Sequence, residues 1–233
     1  MANPNALPIY VQTAEMLIRE IAAGRILEGE RLPPERDMAR DLGISVGTLR
    51  KALADLTEKG YLDRVQGSGN YVRHPPAATG VYAFLRIELA EGGGLPTAEV
   101  LEVRRLPKPG DFPAFGSSPD GHRIRRLRRL GGIPAAVEEI WLDGGYAGTV
   151  TRDDLSESLY LFYRERLGLW IVRAEDRVGV GAVPDWTVQP FPLPAGAVCG
   201  FIERLSWAQD GTIAEYSRTW FDPDKVRYIS RMK

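Results

Sequence analysis

The sequence predicts an α+β protein whose two parts differ in secondary structure. Up to residue 73, apolar residues recur at helical spacing in three segments, and a short hairpin follows them. From residue 81 onward, most of the chain consists of β-rich runs bounded by Gly, Pro or Asp-Gly, which favours a largely antiparallel sheet. Residues 74–80 contain two prolines and a glycine and are predicted to be a linker. We therefore expect one domain at residues 1–73 and a second at residues 81–233.

Composition and charge are those of an ordinary globular protein. The chain has 233 residues, of which 44% are hydrophobic and 26% charged, and its formal net charge is −1. Residues 1–73 contain ten basic and ten acidic residues, so a nucleic-acid surface there must rely on a few well-placed cations. The single cysteine, Cys199, excludes an intrachain disulfide and a multi-cysteine metal site. No apolar run is long enough to span a bilayer and no signal peptide is evident, so we expect a cytoplasmic protein without a membrane partner.

Three helices are predicted in the N-terminal part. The first covers about residues 8–23 and ends before Gly24, where a C-terminal glycine is typical. A second, shorter helix is expected to end at Gly43, which can adopt the left-handed conformation that turns the chain sharply. Ser45 then offers a hydroxyl cap for a third helix over about residues 46–59.

A helix, a tight glycine turn and a capped helix together have the geometry of a helix-turn-helix. The apolar stripe of the third helix includes Leu49 and Leu53, so Arg50 and Lys51 are expected to face solvent. Such an exposed, cationic first turn suits entry into the major groove of DNA. The alternative is a three-helix scaffold with solvated charges, since an isolated Arg-Lys pair on a helix is usually only a polar face.

A β-hairpin, or wing, is predicted after the third helix. Residues 61–65 and 71–73 have strand character, and the loop at residues 66–70 is rich in glycine. Such a tip lets backbone N–H groups come close to a phosphate or a narrow groove. The wing makes the combination much more specific for a winged helix-turn-helix that binds double-stranded DNA.

Four segments of the N-terminal part together resemble the GntR superfamily of bacterial regulators. They are residues 8–12 (PIYVQ), 29–36 (GERLPPER), 45–50 (SVGTLR) and 66–72 (QGSGNYV). The resemblance implies a transcription regulator, most often a repressor, that binds as a homodimer to an inverted-repeat operator. Together with the helix geometry, it gives the candidate DNA-binding residues, which are Arg36, Ser45, Gly47, Thr48, Arg50, Lys51, Gln66, Gly67 and Gly69.

Two residues depart from the common pattern of that family. Pro34 stands where Ser is common, and proline supplies no side-chain cap. Val46 stands where Arg is common, so the base preference is expected to differ while the fold is kept.

The arginine-rich stretch at residues 123–130 points to buried charge in the second domain. Strand alternation places Arg126 and Arg128 on the same face as Ile124 and Leu130, and these apolar neighbours suggest that this face is inward. Buried arginines need an anion, which a ligand's phosphate or carboxylate can supply. The alternative is a purely structural pairing with Glu138 or Glu139 on the next strand.

The second part resembles the UTRA ligand-sensing domain of the HutC-type branch, which has a chorismate-lyase-like fold. The matching landmarks are residues 124–128, 134–142, 158–160 and 210–221. The resemblance implies a small anionic metabolite as effector, and the candidate effector-binding residues are Arg126, Arg128, Glu138, Ser158, Tyr160 and Glu215. Phe221 stands where some relatives have Tyr, so one ligand hydrogen bond is expected to be missing. We also expect Ser156 to cap a helix over about residues 157–166.

Two other classes of function are alternatives to a ligand-controlled regulator. An enzyme is disfavoured because the only two histidines, His74 and His122, lie apart and no phosphate-cradling glycine loop is evident. We accordingly expect no catalytic residue, cofactor or metal. A DNA-binding protein without an effector would share every N-terminal feature. The identity of the effector, the operator and the regulated genes are not encoded in these patterns.

Overall fold

The computed structural model describes residues 6–73, 82 and 84–231. These divide into two compact units, one built mainly on Leu7–Leu85 and the other on Arg86–Ile229. The predicted linker at residues 74–80 lies outside the described residues. The domain boundaries therefore stay a prediction, while the α+β fold class is confirmed.

The N-terminal unit contains three helices followed by a hairpin. Its elements are α1 (Ile9–Ala22), α2 (Glu35–Asp41), α3 (Val46–Glu58), β1 (Leu62–Val65) and β2 (Gly69–Val72). The apolar stripes of the helices form one core, which contains Ala14, Leu17, Ile18, Ile21, Met38, Ala39, Leu49, Ala52, Leu53 and Leu56. The predicted amphipathic pattern thus closes the unit around its own hydrophobic centre.

The turn between α2 and α3 has the predicted chemistry. Gly43 adopts a positive φ of 64°, and the Ser45 side chain accepts a hydrogen bond from the Thr48 backbone N–H at 3.0 Å. Pro34 precedes α2 and provides no side-chain cap. The first turn of α3 is therefore fixed in position by the sharp turn and by the serine cap.

The wing is held at its base by the segment that precedes α2. Strands β1 and β2 pair antiparallel, with Val65 opposite Gly69 at the tip. Arg31 bridges to Tyr71, and the Leu32 N–H donates to the Asn70 carbonyl at 2.9 Å. These backbone contacts extend the hairpin by a third short strand-like segment and fix its orientation within the unit.

The C-terminal unit is dominated by a six-stranded antiparallel sheet. The unit's strands are β3 (Ile87–Leu89), β4 (Pro96–Pro107), β5 (Asp120–Leu130), β6 (Ile133–Asp143), β7 (Ile171–Ala182), β8 (Val198–Ala208), β9 (Ile213–Phe221) and β10 (Val226–Tyr228), and among the described residues it has one α-helix, α4 (Leu159–Leu167). The order in the large sheet is β4-β5-β6-β9-β8-β7, and a separate two-stranded ribbon pairs β3 with β10. Gly131-Gly132 and Asp210-Gly211, which have the composition of hairpin turns, connect β5 to β6 and β8 to β9.

Two local expectations for this unit were wrong. The apolar run at residues 81–89 predicts a first strand of that length, but among the described residues the strand covers only Ile87–Leu89, and residues 82 and 84 lie in turns. The α4 helix is capped by Ser158, which accepts from the Leu161 N–H at 3.3 Å, and not by Ser156. The Ser156 hydroxyl instead donates to the Ser158 carbonyl at 2.6 Å, so it braces the residue that forms the cap.

Both faces of the large sheet carry buried side chains. On one face, Ile124, Ile140 and Leu142 pack with α4 residues that include Phe162 and Tyr163. The opposite face buries two apolar groups, one containing Leu127, Val137, Cys199 and Trp220 and one containing Phe115, Trp141 and Tyr216. Strand alternation therefore decides which polar residues face the helix, and this places the candidate effector residues.

Candidate DNA interface and effector site

The structure places the predicted DNA-binding residues at three neighbouring parts of the N-terminal unit. Arg36 lies on α2, the residues from Ser45 to Lys51 lie at the start of α3, and Gln66, Gly67 and Gly69 lie at the tip of the wing. All are exposed except Thr48 and Gly69, which are partly buried. The Ser45 hydroxyl is already engaged, since it caps α3 and contacts the Thr48 hydroxyl at 2.8 Å. Its role in the fold is therefore clearer than a role in contacting DNA.

Arg50 is held by a carboxylate that the sequence reading missed. Its Nε donates to Oε2 of Glu35, at the start of α2, over 2.6 Å. The Arg50 side chain is 64% exposed, so the pair is solvated and easily exchanged. Fifteen residues separate the partners, and only the helix-turn-helix geometry brings them together. Glu35 thus sets the resting orientation of Arg50.

Arg36 and Lys51 differ from Arg50 in having no such partner. No carboxylate of the described residues lies within 4.0 Å of either side chain, whereas Arg40 pairs with Asp37 at 3.0 Å. Their charges are therefore available to an external anion without the loss of an existing ion pair.

In the C-terminal unit, Arg126 and Arg128 are buried and share Glu138. Arg126 Nη2 lies 2.7 Å from Glu138 Oε2, and Arg128 Nε lies 3.1 Å from Glu138 Oε1. All three side chains are no more than 7% exposed. The inward orientation predicted by strand alternation is thus observed. The structure answers which glutamate pairs with them, because Glu139 faces the other side and binds Arg125 and Arg218.

The electrostatics of this cluster are unequal for its members. Burial alone would raise the pKa of the Glu138 carboxyl, but the charges of Arg126 and Arg128 outweigh burial and lower the pKa to about 2. The pKa of Arg126 is lowered, because burial and the Arg128 charge together outweigh the attraction of Glu138. Buried Nε of Arg126 has no hydrogen-bond partner among the described residues. Arg126 is therefore incompletely compensated by the protein.

Two further candidate effector residues, Tyr160 and Glu215, are hydrogen-bonded to each other. Glu215 accepts hydrogen bonds from Tyr163 at 2.7 Å, from Tyr160 at 3.2 Å and from Ser206 at 3.1 Å. Burial is the largest influence on Glu215 and raises its pKa. The sequence reading missed Tyr163 and Ser206. Ser206 lies directly opposite Glu215 in the β8–β9 register, and the sequence alone does not specify that register.

Ser158 is brought close to the arginines, but its hydroxyl already has a structural role. Its side chain is buried and caps α4, while the carbonyl of the preceding residue, Glu157, accepts from Arg126 Nη1 at 3.4 Å. Residues 97–100, 152–153 and 155–157, together with Arg129, line a cleft of about 500 Å³. Its lining thus includes Glu157, whose carbonyl Arg126 contacts.

A second buried ion pair adjoins Tyr160. Arg204 is hydrogen-bonded to Tyr160, and its guanidinium binds Asp176 with Nε to Oδ1 at 2.5 Å and Nη2 to Oδ2 at 2.7 Å. The Tyr228 hydroxyl donates to the same carboxylate at 2.8 Å. Hydrogen bonds therefore connect Glu215 on the sheet, through Tyr160 on α4, to Tyr228 on the β3–β10 ribbon. Phe221, the departure noted above, is buried and lies outside this connection.

Possible metal ligands and membrane-spanning helices were sought among the described residues. Among the described ranges, no group of three or more His, Cys, Asp or Glu residues could hold a metal ion. None of the described helices is long and apolar enough to cross a membrane.

Comparison with known proteins gives the class to which this architecture belongs. The model of the bacterial regulatory proteins of the gntR family matches residues 9–72, and the model of the UTRA domain matches residues 91–227. The chain is a transcription regulator of the GntR family that carries a UTRA domain. It is 62% identical to the HTH-type transcriptional regulator SmoD of Agrobacterium fabrum, over 98% of this chain and 97% of that protein.

More distant relatives span the whole chain as well. The HTH-type transcriptional repressor NagR of Bacillus subtilis is 26% identical over 97% of this chain and 95% of that protein. The crystal structure of the possible regulator YydK from Bacillus subtilis matches with a TM-score of 0.53 and 21% identity, over 97% of this chain and all of that chain. The family resemblance and the fold class predicted from sequence are thereby confirmed, and these relatives are named as regulators.

Proposed function

We propose that the protein is a cytoplasmic, non-enzymatic repressor whose binding to an inverted-repeat operator is controlled by a small anionic metabolite. The observation that carries the proposal is the incompletely compensated Arg126, buried among the other candidate effector residues. The exposed cations of α2 and α3 supply the DNA-binding surface. Repression is supported by the name of NagR, a repressor that matches nearly the whole chain.

The polarity of the buried cluster supports an anionic effector. An anion placed near Arg126 would offer an acceptor to its buried Nε and offset the burial that lowers its pKa. Tyr160, Glu215 and Ser206 form a separate hydrogen-bonded cluster and can hydrogen-bond to uncharged polar groups of a ligand. Arg126, Arg128, Glu138, Ser158, Tyr160 and Glu215 are therefore proposed as the effector-binding residues, with Glu138 as the carboxylate that positions both arginines.

A thermal-denaturation screen of phosphorylated and carboxylated metabolites tests this proposal. A metabolite present at 100 times its Kd should stabilise the folded state by about 2.7 kcal/mol. Arg126→Ala should abolish that shift while DNA binding stays nearly intact. Arg129→Ala is the matched control, since Arg129 lies on the same strand but is 28% exposed and 3.8 Å from Glu99. Failure of every anionic metabolite, or an unchanged shift in Arg126→Ala, would favour a structural role for these arginines.

The proposed homodimer is supported by the outer edge of the large sheet. Strand β7 ends the sheet and is hydrogen-bonded on one side, to β8. Three of its valines, Val172, Val178 and Val180, are more than half exposed, and Val180 is 75% exposed. An exposed apolar edge strand favours pairing with a second chain, and antiparallel pairing of β7 with its own copy would satisfy two-fold symmetry.

Val180→Lys is expected to convert the dimer to a monomer. It should also weaken operator binding sharply, because the N-terminal unit of a single chain has few cations with which to bind DNA. Light scattering gives the oligomeric state, and gel-shift stoichiometry gives the number of chains on the operator. Ile133→Lys is the control, since Ile133 is also an exposed apolar residue but lies at the start of β6. Tight binding of one chain to a non-palindromic site would contradict the dimer.

A further inference from the structure

Nine of the ten basic residues in the N-terminal unit up to residue 73 fall into two groups. One group has carboxylate partners within 4.0 Å, in the pairs Arg25–Glu20, Arg40–Asp37, Arg50–Glu35, Lys59–Asp55 and Arg73–Asp63. The other group has no carboxylate that close in the described part of the chain and consists of Arg31, Arg36, Arg64 and Lys51. Arg36 and Lys51 already belong to the proposed DNA-binding surface. Arg31 and Arg64 are not among the candidate DNA-binding residues named above.

Arg31 and Arg64 line the same cleft. It has a volume of about 630 Å³ and lies between the wing and the segment that leads into α2, with a lining of residues 31–35 and 64–70. Its only carboxylate is Glu35, which is engaged by Arg50 at 2.6 Å. The cleft therefore carries two positive charges without a carboxylate partner, although residues 1–73 contain equal numbers of acidic and basic residues.

The position of Arg31 is set by the wing backbone. Its guanidinium lies against Gly69, where an added Cβ would be 3.0 Å from Arg31 Nε. The Arg31 backbone bridges to Tyr71, so the residue is fixed at the base of the wing. A larger residue at position 69 would displace this side chain, and the positive φ of 136° there also disfavours one. Glycine at this position leaves the guanidinium room beside the wing tip.

We propose that this cleft is a further contact with DNA, in which Arg31 and Arg64 bind backbone phosphates of the duplex. The proposal rests on the proposed DNA-binding function and extends its surface from the α3 face to the cleft between wing and α2. Guanidinium groups suit phosphate because their planar fork donates two hydrogen bonds to its oxygens. Phosphate contacts carry no sequence information, so these residues add affinity on every duplex and leave the choice of site to α3.

The salt dependence of binding to a random-sequence duplex tests the proposal. Each phosphate contact contributes about 0.9 to the slope of log affinity against log salt concentration. Arg31→Ala and Arg64→Ala should each reduce the slope by about that amount, and the double variant by about 1.8. Arg31→Lys should keep most of the slope, since the charge remains.

Arg40→Ala and Arg73→Ala are the matched controls, because each removes the same charge from an arginine that already has a carboxylate partner. Their slopes should match that of the unaltered protein. Equal slopes for the cleft variants and the unaltered protein, or an equal loss in the controls, would overturn the cleft assignment alone. Absence of salt-dependent duplex binding by the unaltered protein would overturn the DNA-binding function as well.

Discussion

Replacing Glu138 with alanine is expected to lower the free energy of unfolding by about 3–5 kcal/mol. The reason is the arrangement of one carboxylate between Arg126 and Arg128, with all three side chains buried. Removing the carboxylate leaves two positive charges in the interior without the anion they share, and breaking such a group costs far more than an exposed pair contributes. Urea denaturation followed by circular dichroism gives the difference directly.

Two further variants separate the charge effect from a general disturbance of the sheet. Glu99→Ala removes an exposed glutamate that lies 3.8 Å from Arg129, and its cost should stay below about 1 kcal/mol. Adding Arg126→Met to Glu138→Ala should recover part of the loss, because it removes one of the uncompensated charges. A cost for Glu138→Ala no larger than that of Glu99→Ala would contradict the buried-cluster interpretation.

The same carboxylate makes stability depend on pH in a known direction. The pKa of Glu138 falls from its ordinary 4.5 to about 2 in the folded protein, so the unfolded chain binds the proton more readily. The stabilisation is therefore fully present above about pH 4.5 and is lost as the pH falls toward 2. Glu215 acts in the opposite sense, since its raised pKa favours folding at low pH and this contribution is lost as the pH rises through that pKa. Glu138→Gln should remove the acid-side loss.

Arg50→Ala is expected to reduce discrimination between operator and random DNA by about 1–3 kcal/mol, the contribution of a bidentate base contact. Arg50 projects from the exposed face of α3, and we expect it to exchange Glu35 for a base when the protein binds DNA. Arg36→Ala removes an unpaired cation and should weaken binding to all sequences alike. Competition gel shifts between operator and random duplex measure both effects.

Glu35→Gln provides an internal control for the Arg50 prediction. It frees the guanidinium while leaving the arginine in place, so operator binding should change far less than in Arg50→Ala. If Arg50→Ala keeps the full ratio of operator to random affinity, Arg50 does not read a base and its role is limited to the surface charge.

The N-terminal unit could be predicted almost completely because its determinants are local. The stripes of α1 and α3, the glycine turn at Gly43 and the cap at Ser45 each depend on residues a few positions apart. Their hydrophobic faces then pack together in one small core. The Arg50–Glu35 pair was missed because it depends on the angle between two helices, which no local pattern specifies.

The C-terminal unit was predictable only along single strands. Alternation in β5 correctly turned Arg126 and Arg128 inward, and the following hairpin brought Glu138 opposite Arg126. Asp176 was missed because it pairs with Arg204 across β7 and β8, which the long connection at residues 183–197 separates in sequence. Ser206 was missed because the register of the β8–β9 hairpin shifts beside it. The sequence pattern placed the cap of α4 at Ser156, two residues before the Ser158 that forms it.

The pairing of β3 with β10 joins the first and last strands of the C-terminal unit. Tyr228 lies opposite Ile87, and the Ile229 N–H donates to the Arg86 carbonyl at 2.7 Å. The chain therefore passes through this three-residue pairing before it reaches the six-stranded sheet. The Tyr228 hydroxyl donates a hydrogen bond from this ribbon to Asp176. Asp176 also binds Arg204, which is hydrogen-bonded to Tyr160 on α4. The two ends of the unit are thus held to each other by a short strand pairing, and that pairing is connected to the buried polar residues around Tyr160.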